Sequence, residues 1–528
     1  LDSMKIFVDG MNIATAVERG RGGVWILNPP YLLFYPDADN DDVPDGDPVV
    51  HLAGFGMEDT HSVVNSLCWG PDGWLYGAQG STVTARVVRP GIDKEPIFTS
   101  MGQLIWRYHP TRHEYEVFAE GGGNAFGCEF DQKGRVYSGH NGGDTRGFHY
   151  VQGGYYQKGF SKHGPLSNPF SFGYFKQMDS PPLPRFTHTF VIYDGGSLPP
   201  SYNGLLMGVS PLENFIVASK MIPQGSTFRT EDVGHPITTT DGFFKPVDIK
   251  VGPDGAVYVA DWYDFNVNHY RNHEGNIDPA SGRVYRLRNK DASPARPRDL
   301  STLSSDQLVD LLDDANGWTR RTARRLLADR QDKSVLPRLR EDFVSSKTQR
   351  ALESLWALYV LGDFDIERAL QAVTHADPHV RTWGVRLIGD TREVAPPVAN
   401  SLITLARTEP NVEVRSQLAC TAKRLPAADG LAIVKGLCEH DEDVADPHLP
   451  LLLWWAVESK ILTNEADVLG LLADTTFWAR PIVDQFLLER LMRRFAATGS
   501  RKDLAVCAKL LELAPSADAS KRLMQGFE

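Results

Sequence analysis

Cysteine is scarce in this 528-residue chain, and what there is has no spacing. Cys68, Cys128, Cys420, Cys438 and Cys507 stand singly, with no CxxC and no CxxCH, which excludes zinc knuckles and covalent c-type haem from this sequence. They read as buried thiols. Long apolar runs are missing as well. None is longer than Leu451 to Val457, far short of the roughly 20 residues that cross a bilayer as a helix. Basic residues are in deficit: Lys and Arg total 55 against 67 Asp and Glu, a net charge of −12. Without a basic stripe to neutralise phosphates, nucleic acid is not an expected partner. The chain opens Leu1-Asp2-Ser3, with neither an initiator methionine nor a signal peptide, so it reads as a piece or a processed product.

What is present is turn chemistry, and it repeats. Residues 59 to 80 read DTHSVVNSLCWGPDGWLYGAQG, two strand-like runs around a Gly-Pro-Asp-Gly turn. Proline presets φ at the second turn position, and the closing glycine accepts a positive φ. The flanking β-branched and aromatic residues suit strands. The unit returns as FGCEFDQKGRVY (Phe126 to Tyr137) and as VDIKVGPDGAVYVAD (Val247 to Asp261). Gly73, Gly134 and Gly255 lie 61 and then 121 residues apart, one period and then two. Such self-similarity predicts a β-propeller. GGVWILN (Gly22 to Asn28) and YNGLLMGVS (Tyr202 to Ser210) add two units, giving five where a six-bladed-type ring is expected, so the N-terminal blade reads as incomplete. A Gly-, Tyr-, Phe- and His-rich insertion, Gly142 to Arg185, reads either as a functional loop or as a surface excursion.

Composition changes near residue 290, which 16 of the 17 tyrosines and 38 of the 47 glycines precede. The stretch 291–299 has linker composition, which divides the chain into a propeller over 1–290 and a helical part over 300–528. WTRRTARRLL, TQRALESLWAL, HVRTWGVRLIG and EVRSQLACTA recur there, with Arg320, Arg350, Arg381 and Arg415 spaced 30, 31 and 34 residues apart. The period predicts an α-solenoid of HEAT/armadillo-like helix pairs, the arginines tying neighbouring repeats together.

Three stretches could carry chemistry. The acidic loop DADNDDVPD places Asp37, Asp39, Asp41, the Val43 carbonyl and Asp45 at alternate positions, as calcium's hard-oxygen ligands require; position 6 has Asp42 instead of glycine, and no glutamate stands at 12, so it is not an EF-hand. A solvated acidic turn is the alternative. Eleven of the fifteen histidines lie between His51 and His273. His61, His140, His149, His163, His188, His269 and His273 sit in loop-like contexts from which several could reach one central pocket as proton-transfer groups. The third unit runs into Asp261-Trp262, an acid and an aromatic that suit a pocket floor or, equally, packing between blades.

The run H(x)5LxWGPDGWLY, with GNAFGCEFDQKGRVY, GDTRGFHYVQGGYY, PRFTHTFVIYDGG and VDIKVGPDGAVYVADWY, resembles the soluble quinoprotein glucose/sorbosone dehydrogenase superfamily. Closer still, it resembles large membrane-bound dehydrogenase-type proteins of planctomycetes and verrucomicrobia, in which such a propeller precedes HEAT-like repeats and commonly a cytochrome c domain. The resemblance implies pyrroloquinoline quinone as cofactor, with His61 at the position of the base that takes a substrate hydroxyl proton; Asp261 is a second catalytic candidate. The family's quinone-contacting arginine precedes an asparagine; here the run is Gly121-Gly122-Gly123-Asn124, so Asn124 is kept and the arginine is not. An orthoquinone gains from a cation against its developing oxyanion. Arg146 and Arg185 are candidates to replace it, with His140, Lys245 and Trp262 lining the site. Haem c would lie in a domain beyond Glu528.

Two readings follow. One is an extracytoplasmic quinoprotein-like dehydrogenase that oxidises a sugar or alcohol, has calcium supporting the site, and passes electrons to a cytochrome. The other is a non-catalytic module binding a glycan on the propeller, or a protein partner along the solenoid groove. Metal-dependent hydrolase or lyase chemistry is a third, and no HExxH motif supports it.

Overall fold

The computed structural model describes residues 5–159, 163–183, 189–265, 280–291 and 298–527. Its N-terminal part is a run of antiparallel sheets. The first contains β1 (Ala16–Arg19), β2 (Gly23–Asn28), β3 (Tyr31–Pro36) and β4 (Val49–Ala53). The second starts with β5 (Val64–Trp69) and β6 (Leu75–Gln79), throws out a hairpin of β7 (Thr84–Val87) and β8 (Phe98–Met101), and finishes with β9 (Leu104–His109) and β10 (Glu114–Glu120). The third is β11 (Ala125–Phe130), β12 (Val136–His140) and β13 (Phe148–Tyr150). The fourth is β14 (Phe190–Ile192), β15 (Leu206–Ser210), β16 (Phe215–Gln224) and β17 (Thr227–Thr238), and the fifth is β18 (Pro246–Val251), β19 (Val257–Asp261) and β20 (Arg283–Leu287). These are five propeller blades, standing where the sequence places five units.

The first strand of each blade meets the first strand of the next, β1 with β5, β5 with β11, β11 with β14 and β14 with β18, so these strands surround the axis. They run in one sense. Asn65 Nδ2 donates to the Ala125 carbonyl (3.3 Å), the Gly127 amide donates to Ser66 Oγ (3.0 Å), and further along Cys68 meets Cys128. Their N-terminal ends therefore share one face of the propeller and their C-terminal ends the other. Bulges interrupt β5 and β11 midway, between Asn65 and Cys68 and between Phe126 and Glu129, and β18 at its start, between Pro246 and Asp248. Such bulges re-aim side chains, here around the axis.

The repeated turns lie at the C-terminal ends of β5, β11 and β18 and are built alike. Asp72, Asp131 and Asp254 each accept backbone amides two residues on and a tyrosine hydroxyl from the next strand, from Tyr76 (2.7 Å), Tyr137 (3.4 Å) and Tyr258 (3.2 Å). Asp and its local amides form the turn without help from elsewhere, which is why it shows in sequence.

After Leu300 the chain is helical: α1 (Ser305–Asp310), α2 (Gly317–Arg330), α3 (Leu336–Ser345), α4 (Gln349–Val360), α5 (Ile366–Val373), α6 (Pro378–Asp390), α7 (Pro396–Thr408), α8 (Val412–Arg424), α9 (Ala427–Leu437) and α10 (Leu449–Leu471), the last broken at Asn464. Shorter helices, α11 (Thr475–Trp478), α12 (Leu488–Ala496), α13 (Arg501–Leu513) and α14 (Ala517–Gln525), follow. The even-numbered helices α2 to α10 stack in one layer, and α5, α7 and α9 in another. The periodic arginines tie the stack. Arg320 reaches Glu353, Arg381 takes Glu409 with both guanidinium arms, and Arg415 takes Asp443 likewise, while each also donates to carbonyls just before its own helix. Arg350 closes back on Asp342 and the Val309 carbonyl.

The solenoid's even layer packs on the turn side of the propeller. A Cβ on Gly134 would lie 2.5 Å from the Trp383 ring, whose Nε1 donates to the Lys133 carbonyl; one on Gly73 would lie 3.2 Å from Val360. Asn316 Nδ2 donates to the carbonyls of Gly252 and Pro253. The solenoid groove, expected to take a protein partner, is thus filled by the protein's own propeller. The insertion also docks here. The carbonyls of Phe170 and Ser171 accept from Trp454 and Trp455, and Arg494 stacks on Phe170 at 3.6 Å. Its middle is an arm clasping α10 and α12 and not a loose excursion.

Candidate functional site

Among the described residues the solenoid covers the turn side and leaves uncovered the mouth, the face where β5, β11 and β18 begin. His61 lies three residues before β5, Asn124 immediately before β11, and Lys245 immediately before β18. Three of the residues proposed from sequence thus lie on the same end of the inner strands.

His61 is the most exposed of them, with 59% of its side chain open. Its Nδ1 faces Asp59 Oδ1 at 3.4 Å, and its own backbone amide donates to the same oxygen at 3.1 Å. Asp59 is in turn held by Thr82 and Ser62. Burial pushes the Asp59 carboxyl up, but the hydrogen bonds from Thr82 and His61 outweigh it and hold the group below the ordinary carboxylate range. An ionised carboxylate against Nδ1 fixes the ring and supports a proton arriving at Nε2. Asp59 does not stand out in the sequence; its signal is an acid two residues before the histidine, a spacing too common to be noticed.

The network continues. Ser81, next to Thr82, donates its amide to Asn124 Oδ1 (3.2 Å), and the Asn124 amide donates to His140 Nδ1 (3.1 Å). His61, Asn124 and His140 therefore belong to one chain of contacts across blades two and three. The His140 ring also closes the place of the missing arginine: a Cβ on Gly123 would fall on that ring.

Lys245, Asp261 and Trp262 form a second group on blade five. Asp261 is buried, its Oδ1 accepts the amides of Lys245 (2.7 Å) and Tyr263 (2.8 Å), and Trp262 donates its amide to the Lys245 carbonyl. Lys245 Nζ is held by Asn214 Oδ1 (2.6 Å) and the Gly242 carbonyl; burial lowers its pKa against the pull of Asp261. Trp262 is largely exposed. Arg146 is buried and clamps Asp232 with both arms, at 3.1 and 2.5 Å. His149 is buried, and stacks on His448. Arg185, His188, His269 and His273 lie outside the described residues.

The quinone fits poorly. Gly123 has no room for a cation, Lys245 is spent on neutral acceptors, and Arg146 is neutralised by Asp232. The place that the resemblance gives to the family's cation is thus closed, and the positive charge of Lys245 is tied to Asn214 and the Gly242 carbonyl.

The acidic loop lies elsewhere. Asp37 follows β3, and β3 runs with β1, so the loop is on the solenoid side with Arg19 (Nη2 to Asp37 Oδ2, 3.1 Å). Asp37, Asp39 and Asp41 can bring one oxygen each within 4.8 Å of one another. Asp45 is turned to the Ala38 amide (2.7 Å). Calcium held here would not support the mouth directly.

A family model described as a domain of unknown function (DUF7133) matches residues 1–291. None of the curated proteins matches. Among solved structures, an oxidoreductase (glucose dehydrogenase) from Thermus thermophilus is similar at 16% identity over 53% of this chain and 98% of its own, with a TM-score of 0.30. The PQQ-bound form of aldose sugar dehydrogenase from Streptomyces coelicolor is similar at 13% identity over 50% and 74%, with a TM-score of 0.31. A glucose dehydrogenase shows 13% identity over 54% and 99%, also at 0.31. At such scores the propeller rests on its own sheets.

Proposed function

Given that the chain belongs to the DUF7133 family, whose description assigns no chemistry, we propose that the propeller mouth is an oxidoreductase-type site for a sugar or alcohol. His61 takes the substrate's hydroxyl proton, and Asp59 fixes the ring and balances the charge that results. The observation carrying this reading is the Asp59–His61 pair on the open mouth, a carboxylate held ionised against a half-exposed imidazole. Positioned bases of this kind contribute about 10²- to 10⁴-fold. Hydroxyl and amide groups of Thr82, Ser81 and Asn124 beside it suit a polyhydroxylated ligand. Proton removal is the half of an alcohol oxidation that these residues can perform. The hydride acceptor, the passage of electrons to a cytochrome and a cell-envelope location are supported by the family resemblance alone, and the closed position at Gly123 speaks against pyrroloquinoline quinone as that acceptor.

The same closed position favours a second reading, a mouth that binds a glycan without oxidising it. Dye reduction over a panel of aldoses and alcohols, with and without added quinone and calcium, separates the two. Turnover that falls about 10²-fold or more in His61→Gln and Asp59→Asn, with the fold intact, supports the oxidoreductase. Saturable glycan binding with no turnover by the wild type under any condition transfers the site to the second reading.

A further inference from the structure

We propose that the loop between β3 and β4 is a divalent-cation site suited to calcium, built by Asp37, Asp39 and Asp41, and that it braces the seam between the first blade and the solenoid. The three carboxylates can place one oxygen each within 4.8 Å of one another. Like charges gathered so closely repel unless a cation lies between them. A second observation points to that cation. Asp37 is completely buried, and its Oδ1 has no hydrogen-bond donor. A buried carboxylate oxygen left without a partner is strongly unfavourable, and here it belongs to the one member of the cluster that the fold cannot turn to solvent.

Arg19 does not fill this role. Its guanidinium goes to Asp37 Oδ2, Asn40 Oδ1 and Asp42, leaving Asp37 Oδ1 and the side chains of Asp39 and Asp41 unanswered by it. Lys5 reaches the Asp41 backbone carbonyl. The loop holds its own shape: Asp39 Oδ1 accepts the Asp41 amide, Asp41 Oδ1 the Val43 amide, and Asp45 Oδ2 the Ala38 amide. Each acid is thereby steered, with a second oxygen left for a metal. The donors are all oxygen, without nitrogen or sulfur, which selects a hard cation; a set of short acids on a non-helical loop suits calcium better than magnesium, which demands near-ideal octahedral geometry.

The position says what the ion does. The Asp37 amide donates to the Gly22 carbonyl (3.0 Å), in the turn that carries Arg21. Arg21 donates its amide to Asp329 of α2 (3.0 Å), and the Arg19 carbonyl accepts from Arg325 of the same helix (2.8 Å). Ordering the acidic loop therefore orders the surface on which the first solenoid repeat sits. The His61 mouth is at the other end of the axis, so the cation site is independent of the proposed chemistry.

The test uses the full chain, stripped with chelator and titrated with terbium, whose emission Tyr35 can sensitise from two residues away, with calcium and magnesium as competitors. Asp39→Asn and Asp41→Asn are exposed and should leave the fold intact by circular dichroism. Expected are saturable terbium emission displaced by calcium before magnesium, affinity at least about tenfold weaker in both variants, and calcium-dependent protection of residues 37–45 from hydrogen exchange. No saturable binding by folded wild type overturns the proposal, as does binding that both substitutions leave unchanged. Equal displacement by magnesium overturns the assignment to calcium.

Discussion

Arg107 and Asp390 are 283 residues apart in the chain and joined by a 2.6 Å hydrogen bond from Nη2 to Oδ1. Arg107, on β9, has no solvent-exposed surface; it also reaches Asp72 of the first repeated turn (3.2 Å) and Glu116 (2.7 Å). From the solenoid, Arg386 joins Asp72 and Tyr76, and Arg424 joins Glu116 and Asp390. Three guanidiniums and three carboxylates thus form a balanced lattice at the seam. Such a lattice adds little net stability over an apolar seam but makes each member hard to remove, since the survivor is left as a buried charge. The two parts therefore behave as one body.

Asp390→Asn should destabilise the full chain by about 3–5 kcal/mol, the range for breaking one side of a buried pair. Urea unfolding monitored by tryptophan fluorescence reads this directly, because Trp74 stacks on Arg107 at 4.1 Å and Trp383 lies against the same seam. A loss below about 1 kcal/mol would mean that solvent already reaches the lattice.

The lattice also sets an acid limit. Burial alone would raise the Asp390 and Glu116 carboxyls, yet Arg107 and Arg424 overcome it and hold both below their ordinary values of 3.8 and 4.5. A carboxyl depressed in the folded state contributes stability that is complete above its unfolded pKa and is lost as pH falls toward its folded one. The seam should thus hold at neutral pH and weaken progressively below about pH 4. Melting temperature against pH checks it: wild type should fall more steeply than Asp390→Asn below that value, and parallel curves would remove these groups from the account.

Gly134→Ala should undock the second repeated turn. The position has φ +72°, and the added carbon meets the Trp383 ring at 2.5 Å, with both a strained backbone and an overpacked contact. Together these predict a loss of about 2–4 kcal/mol and increased cleavage near the seam in limited proteolysis. Gly22→Ala, with φ +78° and open space around it, carries the backbone strain alone and should lose less.

These turns also show what a sequence can disclose. The Asp-Gly chemistry at Asp72, Asp131 and Asp254 is local, each acid bonding amides two residues on, so the blades are legible. So is the arginine ladder, because Arg320, Arg381 and Arg415 each reach about one repeat ahead and the period records it. Nothing local records that Gly134 meets Trp383, or that Phe170 and Ser171 give their carbonyls to Trp454 and Trp455. The solenoid's closed inner face and the docked insertion are therefore invisible. At the mouth, His61 and Asn124 can be placed because each shortly precedes an inner strand. Asp59 cannot, since its role depends on Thr82, 23 residues away, on the far side of the β5–β6 hairpin.

His140 should decide what residue 123 can be. Gly123→Ala alone forces the His140 ring from the Asn124 amide and should lose about 1–3 kcal/mol, whereas Gly123→Ala with His140→Ala should lose less than the two changes summed. Additive losses would show that the two positions do not compete for space. On the same logic, Gly123→Arg with His140→Ala opens the position that the resemblance reserves for a cation. Pyrroloquinoline quinone should then bind more tightly than to wild type in an absorbance titration.

Glu18 carries the opposite acid signature from the seam. This carboxyl, on β1, lies within electrostatic reach of Lys250, itself 4.0 Å from Glu129, and of Arg321 and Arg325 on α2. Burial drives the Glu18 carboxyl from 4.5 to about 7, against the opposing pull of Arg325, Lys250 and Arg321. A carboxyl raised in the folded state favours folding at low pH, and that benefit disappears as pH rises through its folded value. Glu18→Gln should therefore match wild type below about pH 4.5, gain on it from there to pH 7, and keep a constant advantage above. Melting curves of the two proteins across that range are the measurement, and Arg325→Ala sharpens it. Removing a cation that favours ionisation should move the wild-type decline to higher pH, while leaving the shape of the Glu18→Gln profile unchanged. A decline that stays in place would mean that a group other than Glu18 titrates in this range.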